Sequence, residues 1–191
     1  MRSVLISIKP EWVEKILNGE KTIEIRKTAP KCELPIDVYI YCTLAETRDE
    51  ILSLFNDASR AVRKELDVKP YNCQIIYDGF ADPQNWRLSI CNGKVVARFT
   101  LNKVEEIICR PIWGEWESYT KTLGYSEISQ ASCLGNSEIV RYLKGNNGYA
   151  WHISDLEIFR EPKKLSEFGA KRAPQSWCYV EKKKDKKTCL V

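Results

Sequence analysis

The chain of 191 residues has a single histidine, His152, and that scarcity closes several routes at once. Zinc sites draw on clustered Cys and His ligands, yet the eight cysteines, at 32, 42, 73, 91, 109, 133, 178 and 189, form no C-x-x-C pair. No metal is expected. A Ser-His-Asp triad could use only His152, which lies in Ala150-Trp-His-Ile153, a strand-like stretch where a structural histidine is the better reading. A Cys-His pair would have eight thiols to choose from and nothing to select one. The chain has no G-x-x-x-x-G-K-[ST] loop, no G-x-G-x-x-G, no G-x-S-x-G and no H-E-x-x-H. No cofactor is expected either.

Long apolar runs are also missing. None approaches the ~20 residues of a membrane-spanning helix. The N-terminal run, residues 4–8, is interrupted by Ser7 and is too short for a secretory signal. There is no N-x-S/T acceptor, and several cysteines sit in apolar surroundings such as Tyr39-Ile-Tyr-Cys42, where Cys acts as a small buried hydrophobe. Eight free thiols in a reducing cytoplasm are therefore expected.

What is present fits a soluble globular chain, with 43% hydrophobic and 29% charged residues. The net charge of +4, from 30 Lys and Arg against 26 Asp and Glu, permits an anionic partner without requiring one. Residues 1–181 read as one domain, and the basic tail 182–191 as a solvated appendage.

Residues 4–8 read as a buried strand. Pro10 and Glu11 open a helix whose inward face is Trp12, Val13, Ile16 and Leu17, and Asn18-Gly19 stops it. A second strand follows at once, and residues 36–43 form a third. Thr47 to Glu50 resembles a capping box ahead of an amphipathic helix over 48–66, and Asp78-Gly79 marks a turn. Asn92-Gly93 predicts a hairpin between 86–91 and 94–101, with the second arm running on to Ile108 and broken by Pro111. Trp113, Trp116, Tyr119 and Leu123 are spaced as a short helix with a core-facing stripe, base stacking being the alternative use. Residues 126–136 read as loop, and 137–144 as a helix closed by Gly145. Two strands, 149–153 and 156–159, a turn of helix within 162–168 and a last strand around Trp177 and Tyr179 complete the chain.

The stretch that carries chemistry is Asn18-Gly-Glu-Lys-Thr-Ile-Glu-Ile-Arg-Lys27. Alternation puts Ile23 and Ile25 on one face and Thr22, Glu24 and Arg26 on the other, with Lys21 at the strand's mouth. From spacing alone the charges would face water and pair loosely. As a site, Lys21 and Arg26 could hold a phosphate or a base carbonyl, and Glu24 could accept from an exocyclic amine. A purely structural pair of Glu24 with either cation is the competing role.

The string Gly19-x-Lys21-x-x-Glu24-x-Arg26, with Ser7-Ile-Lys-Pro10 before its helix, resembles the ASCH family of the PUA-like superfamily. The strands at 36–43 and 95–108 follow in that family's order. Gly148-Tyr-Ala-Trp-His-Ile153 and Arg172-Ala-Pro-Gln-Ser-Trp177 are similar to the C-terminal part of longer bacterial and phage members. The resemblance implies an α+β fold, a PUA-like twisted β-barrel flanked by helices, with the string on the floor of a cleft. It implies RNA or a modified nucleotide as partner, held by Lys9, Lys21, Thr22, Glu24 and Arg26. Some small relatives are amidohydrolases of N4-acylated cytidine that use a Lys, a Thr and a distant Glu. Lys21 matches the first, Glu24 stands where the Thr would be, and Glu105 and Glu106 are candidates for the third. The alternatives to binding are thus a hydrolase, either amidohydrolase or nuclease, with Lys21 as base and Glu24 orienting substrate, and a protein-interaction module using Trp113 and Trp116. Binding ranks above catalysis, because a carboxylate beside Lys21 favours the ammonium, a donor rather than a base. A solvent-facing Trp113 would favour the interaction module.

Overall fold

The apolar run after Arg2 forms β1 (Arg2–Ile8), buried from Ser3 onward. Pro10 then opens α1 (Pro10–Leu17), which turns Val13 and Ile16 inward. Gly19, at φ 76°, ends it and sends the chain into β2 (Ile23–Arg26). The computed structural model describes residues 2–44, 53–54 and 89–181. After β3 (Ile36–Cys42), two short strands, β4 (Ser53–Leu54) and β5 (Ser89–Ile90), pair with each other. The long strand β6 (Lys94–Ile112) and β7 (Glu115–Tyr119) lead to α2 (Tyr125–Ser132) and α3 (Asn136–Leu143). The chain then follows β8 (Gly148–Lys163), a 3-10 turn (Leu165–Phe168) and β9 (Trp177–Glu181).

The main sheet runs β2-β8-β6-β3-β1-β9, with β7 also on β6. Among the described residues only the β1–β3 pairing is parallel, so the sheet is mixed, and it curls into a half-barrel accompanied by the three described helices: an α+β fold. One core gathers Val4, Ile6, Val38, Ile40, Phe99 and Trp151 under Val13 and Ile16 of α1. A second packs Ile23, Ile25, Ile107 and Ala150 against Ile128 of α2 and Ile139 and Leu143 of α3. The two cores sandwich β2, and all four of its residues are buried.

The ends of the strand order, β2 and β9, are joined by side chains. Trp177 donates its indole N–H to Thr28 Oγ1 (3.0 Å), and the Tyr179 hydroxyl accepts the Lys31 amide (2.7 Å). Arg26 makes the remaining links. This seam between the curled sheet's edges sits directly over the Lys21–Arg26 string.

Several expectations are corrected. The Asn92-Gly93 turn forms, with Gly93 at φ 76°, but among the described residues its arms are not paired with each other: β5 joins β4, while β6 lies between β3 and β8. Pro111 does not break β6. Pairing with β8 ends at Ile107, so beyond it only the β7 ladder remains and the missing N–H has an open side to face. The aromatic stretch after it is not a helix. Trp113 and Gly114 both take positive φ (53° and 89°) in a two-residue turn, and Trp116 and Tyr119 lie on β7. Residues assigned to a loop form α2. The two strands expected before residue 160 are one, with a register shift where Asp155 (φ 46°) adds a bulge. The helix over 48–66, the 78–79 turn and the tail after 181 lie outside the described residues. So do Cys73 and Cys189, while the other cysteines are free thiols. Among the described residues no helix is long and apolar enough to cross a membrane, and no group of side chains is arranged to hold a metal.

Candidate functional site

The C-terminal turns of α1 place Lys21. The amides of Glu20 and Lys21 both donate to the Lys15 carbonyl, folding the chain back over the helix end. The Lys21 ammonium then lies 5.4 Å from the Trp12 ring centroid and is 2% exposed. It donates to the Ser132 carbonyl (2.6 Å) at the end of α2, where a helix's negative pole favours a cation. The Thr22 amide donates to the Ala131 carbonyl (2.8 Å), so α2 clamps the start of β2.

Within β2, Glu24 is paired with Trp151 and Arg26 with Tyr149, while Ile23 and Ile25 turn into the second core. Glu24 bridges two cations, with Oε2 3.3 Å from Lys21 Nζ and Oε1 3.0 Å from Arg26 Nη2. Arg26 also donates to the Ser7 carbonyl on β1 (2.7 Å) and to Ser176 Oγ just before β9 (3.3 Å). Ser7 holds that last loop in place, its hydroxyl donating to the Pro174 carbonyl (2.6 Å) and its amide to the Ser176 carbonyl (2.9 Å). The charges therefore do not face water. They form one buried cluster that closes the seam, and Glu24 makes both of the pairs that spacing allowed.

Two features of the cluster concern what it can bind. It holds two cations against one carboxylate, a surplus of positive charge where desolvation is costly. Two buried donors, Arg26 Nε and Trp151 Nε1, have no hydrogen-bond partner among the described residues. Trp151 is fully buried, with Trp177 edge-on at 5.6 Å between centroids. Surplus donors and surplus positive charge both call for acceptor atoms. At the margin stands Tyr142, 39% exposed, with the Lys27 ammonium 5.2 Å from its ring centroid. Burial raises its hydroxyl above the ordinary tyrosine value, and Glu24 adds to the rise while Arg26 opposes it.

Of the expected site residues, Lys21, Glu24 and Arg26 come together. Lys9 and Thr22 are exposed outside the cluster, and the Lys9 carbonyl caps α1 by accepting the Trp12 and Val13 amides. Sequence reasoning gave no site role to Trp12, Ser132, Tyr142 or Trp151, and included Ser7, Ser176 and Trp177 only as parts of strings.

Glu105 stands elsewhere. It pairs with Ala150, which also pairs with Ile25, whereas Glu24 pairs with Trp151. Glu105 therefore lies on the opposite face of the sheet from Glu24. Glu106 is exposed and accepts from Asn147 Nδ2 (3.0 Å). Around Glu105 are His152 Nε2 at 2.7 Å, Lys103 Nζ at 2.9 Å and the Thr122 hydroxyl at 2.5 Å. Burial alone would raise its pKa, but hydrogen bonds from Thr122, Lys103 and His152 outweigh burial and hold it down at about 2. A depressed carboxylate stabilises the fold above its unfolded-state value and loses that contribution as pH falls through the folded one. Glu105→Gln is therefore expected to cost about 2 kcal/mol at pH 7, with the gap to the native chain narrowing from pH 5 downward. Urea melts at pH 7 and pH 3.5 check this, and an equal gap at both pH values would contradict it.

Comparisons with known proteins agree with this architecture. The family model described as "ASCH domain" matches residues 6–163. No curated protein matches. The crystal structure of ASCH from Zymomonas mobilis is similar over 94% of this chain and 88% of that one, with a TM-score of 0.54 and 16% identity. A mutant of the same protein gives 94% and 91% coverage, 0.54 and 18% identity. At such identity the likeness concerns the fold.

Proposed function

The chain belongs to the ASCH family, and from that premise we propose that it binds RNA or a modified nucleotide in the cleft carrying Lys21, Glu24 and Arg26. The observation that carries the reading is the surplus of buried positive charge beside two unpartnered donors, Arg26 Nε and Trp151 Nε1. A base carbonyl or a phosphate oxygen supplies the acceptors these groups lack. Glu24 retains lone pairs beyond its two ionic contacts, enough for an exocyclic amine such as cytosine N4.

Lys21→Ala is expected to weaken binding of a short RNA or a cytidine nucleotide by about 1–3 kcal/mol, or roughly 5- to 150-fold. Calorimetric titration measures it, with thermal melts to show that the variant is folded. Unchanged affinity in Lys21→Ala and Arg26→Ala would make the string purely structural.

Binding stands above hydrolysis because Lys21 donates to the Ser132 carbonyl and is ion-paired with Glu24, whereas a general base needs a free lone pair. Incubation with N4-acetylcytidine tests the ranking. Multiple turnovers lost in both Lys21→Ala and Glu24→Ala would reverse it.

One observation favours a second reading, a protein-interaction module. Trp113 is 100% exposed at the tip of the β6–β7 hairpin, and Trp116 is 45% exposed beside it. A solvated tryptophan held in a positive-φ turn has no role in the core. A photoreactive side chain at position 113 tests this reading. Protein adducts support it, and only RNA adducts, or none, remove it.

A further inference from the structure

A groove of about 900 Å³ runs along residues 168–181, from the end of the 3-10 turn to the end of β9. Lys21, Glu24 and Arg26 do not line it. It begins where their cluster ends, because Ser176 meets Arg26 Nη1 and the next residue, Trp177, both lines the groove and packs edge-on against Trp151. Alternation on β9 sends Cys178 and Val180 inward toward a further cluster of Leu5, Tyr39, Val95 and Phe159 and leaves Trp177 and Tyr179 together on the other face. Their rings are 5.4 Å apart between centroids, and Tyr179 is 38% exposed. Exposed Lys171 and Arg172 belong to the groove, against one lining carboxylate among the described residues, Glu181. One further cation stands at Tyr179, the Arg2 guanidinium 5.6 Å from its ring centroid, while the Lys31 backbone amide donates to its hydroxyl.

Two neighbouring aromatic rings set edge to face, with Tyr179 open to solvent, flanked by cations and continuous with the proposed nucleotide cleft, match the needs of a flexible polyanion carrying stackable bases. We propose that this groove is a second subsite, which holds the neighbouring nucleotides of a single-stranded RNA. Lys171 and Arg172 contact its phosphates, and Tyr179, braced edge to face by Trp177, offers the stacking face. The proposal rests on the nucleotide reading of the cleft and extends it. The ligand is a strand that threads from the seam along β9, and one nucleotide fills only part of the site. Duplex RNA is a poor fit, because its bases are stacked on one another and offer no free face to Tyr179.

The test compares an eight-nucleotide single-stranded RNA with a mononucleotide. The Lys171→Ala/Arg172→Ala chain is expected to bind the oligonucleotide at least tenfold more weakly and the mononucleotide within twofold of the native chain. The slope of log affinity against log salt for the oligonucleotide falls by about 1.4, at ~0.7 per lost phosphate contact. Tyr179→Ala weakens the oligonucleotide alone, roughly tenfold, without the change in salt slope. Lysine acetylation mapped by mass spectrometry adds a direct readout, with Lys171 protected by the oligonucleotide and not by the mononucleotide. Oligonucleotide affinity equal to that of the native chain in both variants overturns the groove subsite. If the groove variants lose oligonucleotide binding while Lys21→Ala and Arg26→Ala keep mononucleotide binding, the groove stands and the cleft reading fails. A native chain that binds neither ligand overturns both.

Discussion

Glu24→Ala is expected to destabilise the protein by about 3–5 kcal/mol, the range found when one partner of a buried ionic cluster is removed. Glu24 is 7% exposed and, among the described residues, is the sole carboxylate contacting both Lys21 and Arg26, themselves 2% and 8% exposed. Without it two cations of like sign remain out of water. Urea titration should show a lower midpoint with an unchanged slope, as for a loss of stability without a change in surface exposed. Glu24→Gln keeps the shape and an acceptor but removes the charge, so its loss falls short of the alanine variant's. Adding Lys21→Met to Glu24→Ala should recover part of the loss, because one repelling charge is gone and its methylene stem is retained. A Glu24→Ala cost below about 1 kcal/mol, typical of exposed pairs, would mean that the cluster is in contact with water.

The same burial explains how far the site was legible in the sequence. Gly19, Lys21, Glu24 and Arg26 declared themselves as a string, and the order of helix, strand and strand around it was plain. The fate of the charges was not. Lys21 is covered by Ser132, 111 positions away, and Arg26 by Ser176, 150 positions away, so local alternation could not show that β2 is enclosed on both faces. The element that covers Lys21 was itself hidden. In α2 only Ile128 and Ser132 are buried, too few to print a helical period, and the helix holds through its contacts with β2 and β7. The β6–β7 hairpin was missed for a different reason. Its turn puts Trp113, a residue that rarely takes positive φ, at a position where Asn or Gly would have signalled the reversal. Glu105 was legible as a carboxylate on a strand, but its face depends on a register shift between Leu101 and Val104 that composition does not reveal.

Arg26→Ala is expected to cost about 2–4 kcal/mol, less than Glu24→Ala, because the Lys21–Glu24 pair that remains is neutral overall. What is lost is the seam. The guanidinium donates at 2.7 Å to the Ser7 carbonyl on β1 and at 3.3 Å to Ser176 before β9, and is ion-paired at 3.0 Å with Glu24, so one side chain ties β2 to the far end of the strand order. Arg26→Lys keeps the charge but replaces a planar fork by one ammonium, which cannot reach all three acceptors, and should regain less than half of the loss. Hydrogen exchange locates the effect. Amides of β2 and β9 should exchange faster in both variants while those of β3 and β6, paired on both sides, keep their protection, because the edges open before the centre. Arg26→Lys also removes the unpartnered Nε–H, so its nucleotide affinity should fall further than its stability does. Uniform loss of protection across the sheet would make Arg26 an ordinary core residue; protection lost only at β2 and β9, together with weakened nucleotide binding, would place closure of the half-barrel and recognition of the ligand in the same side chain.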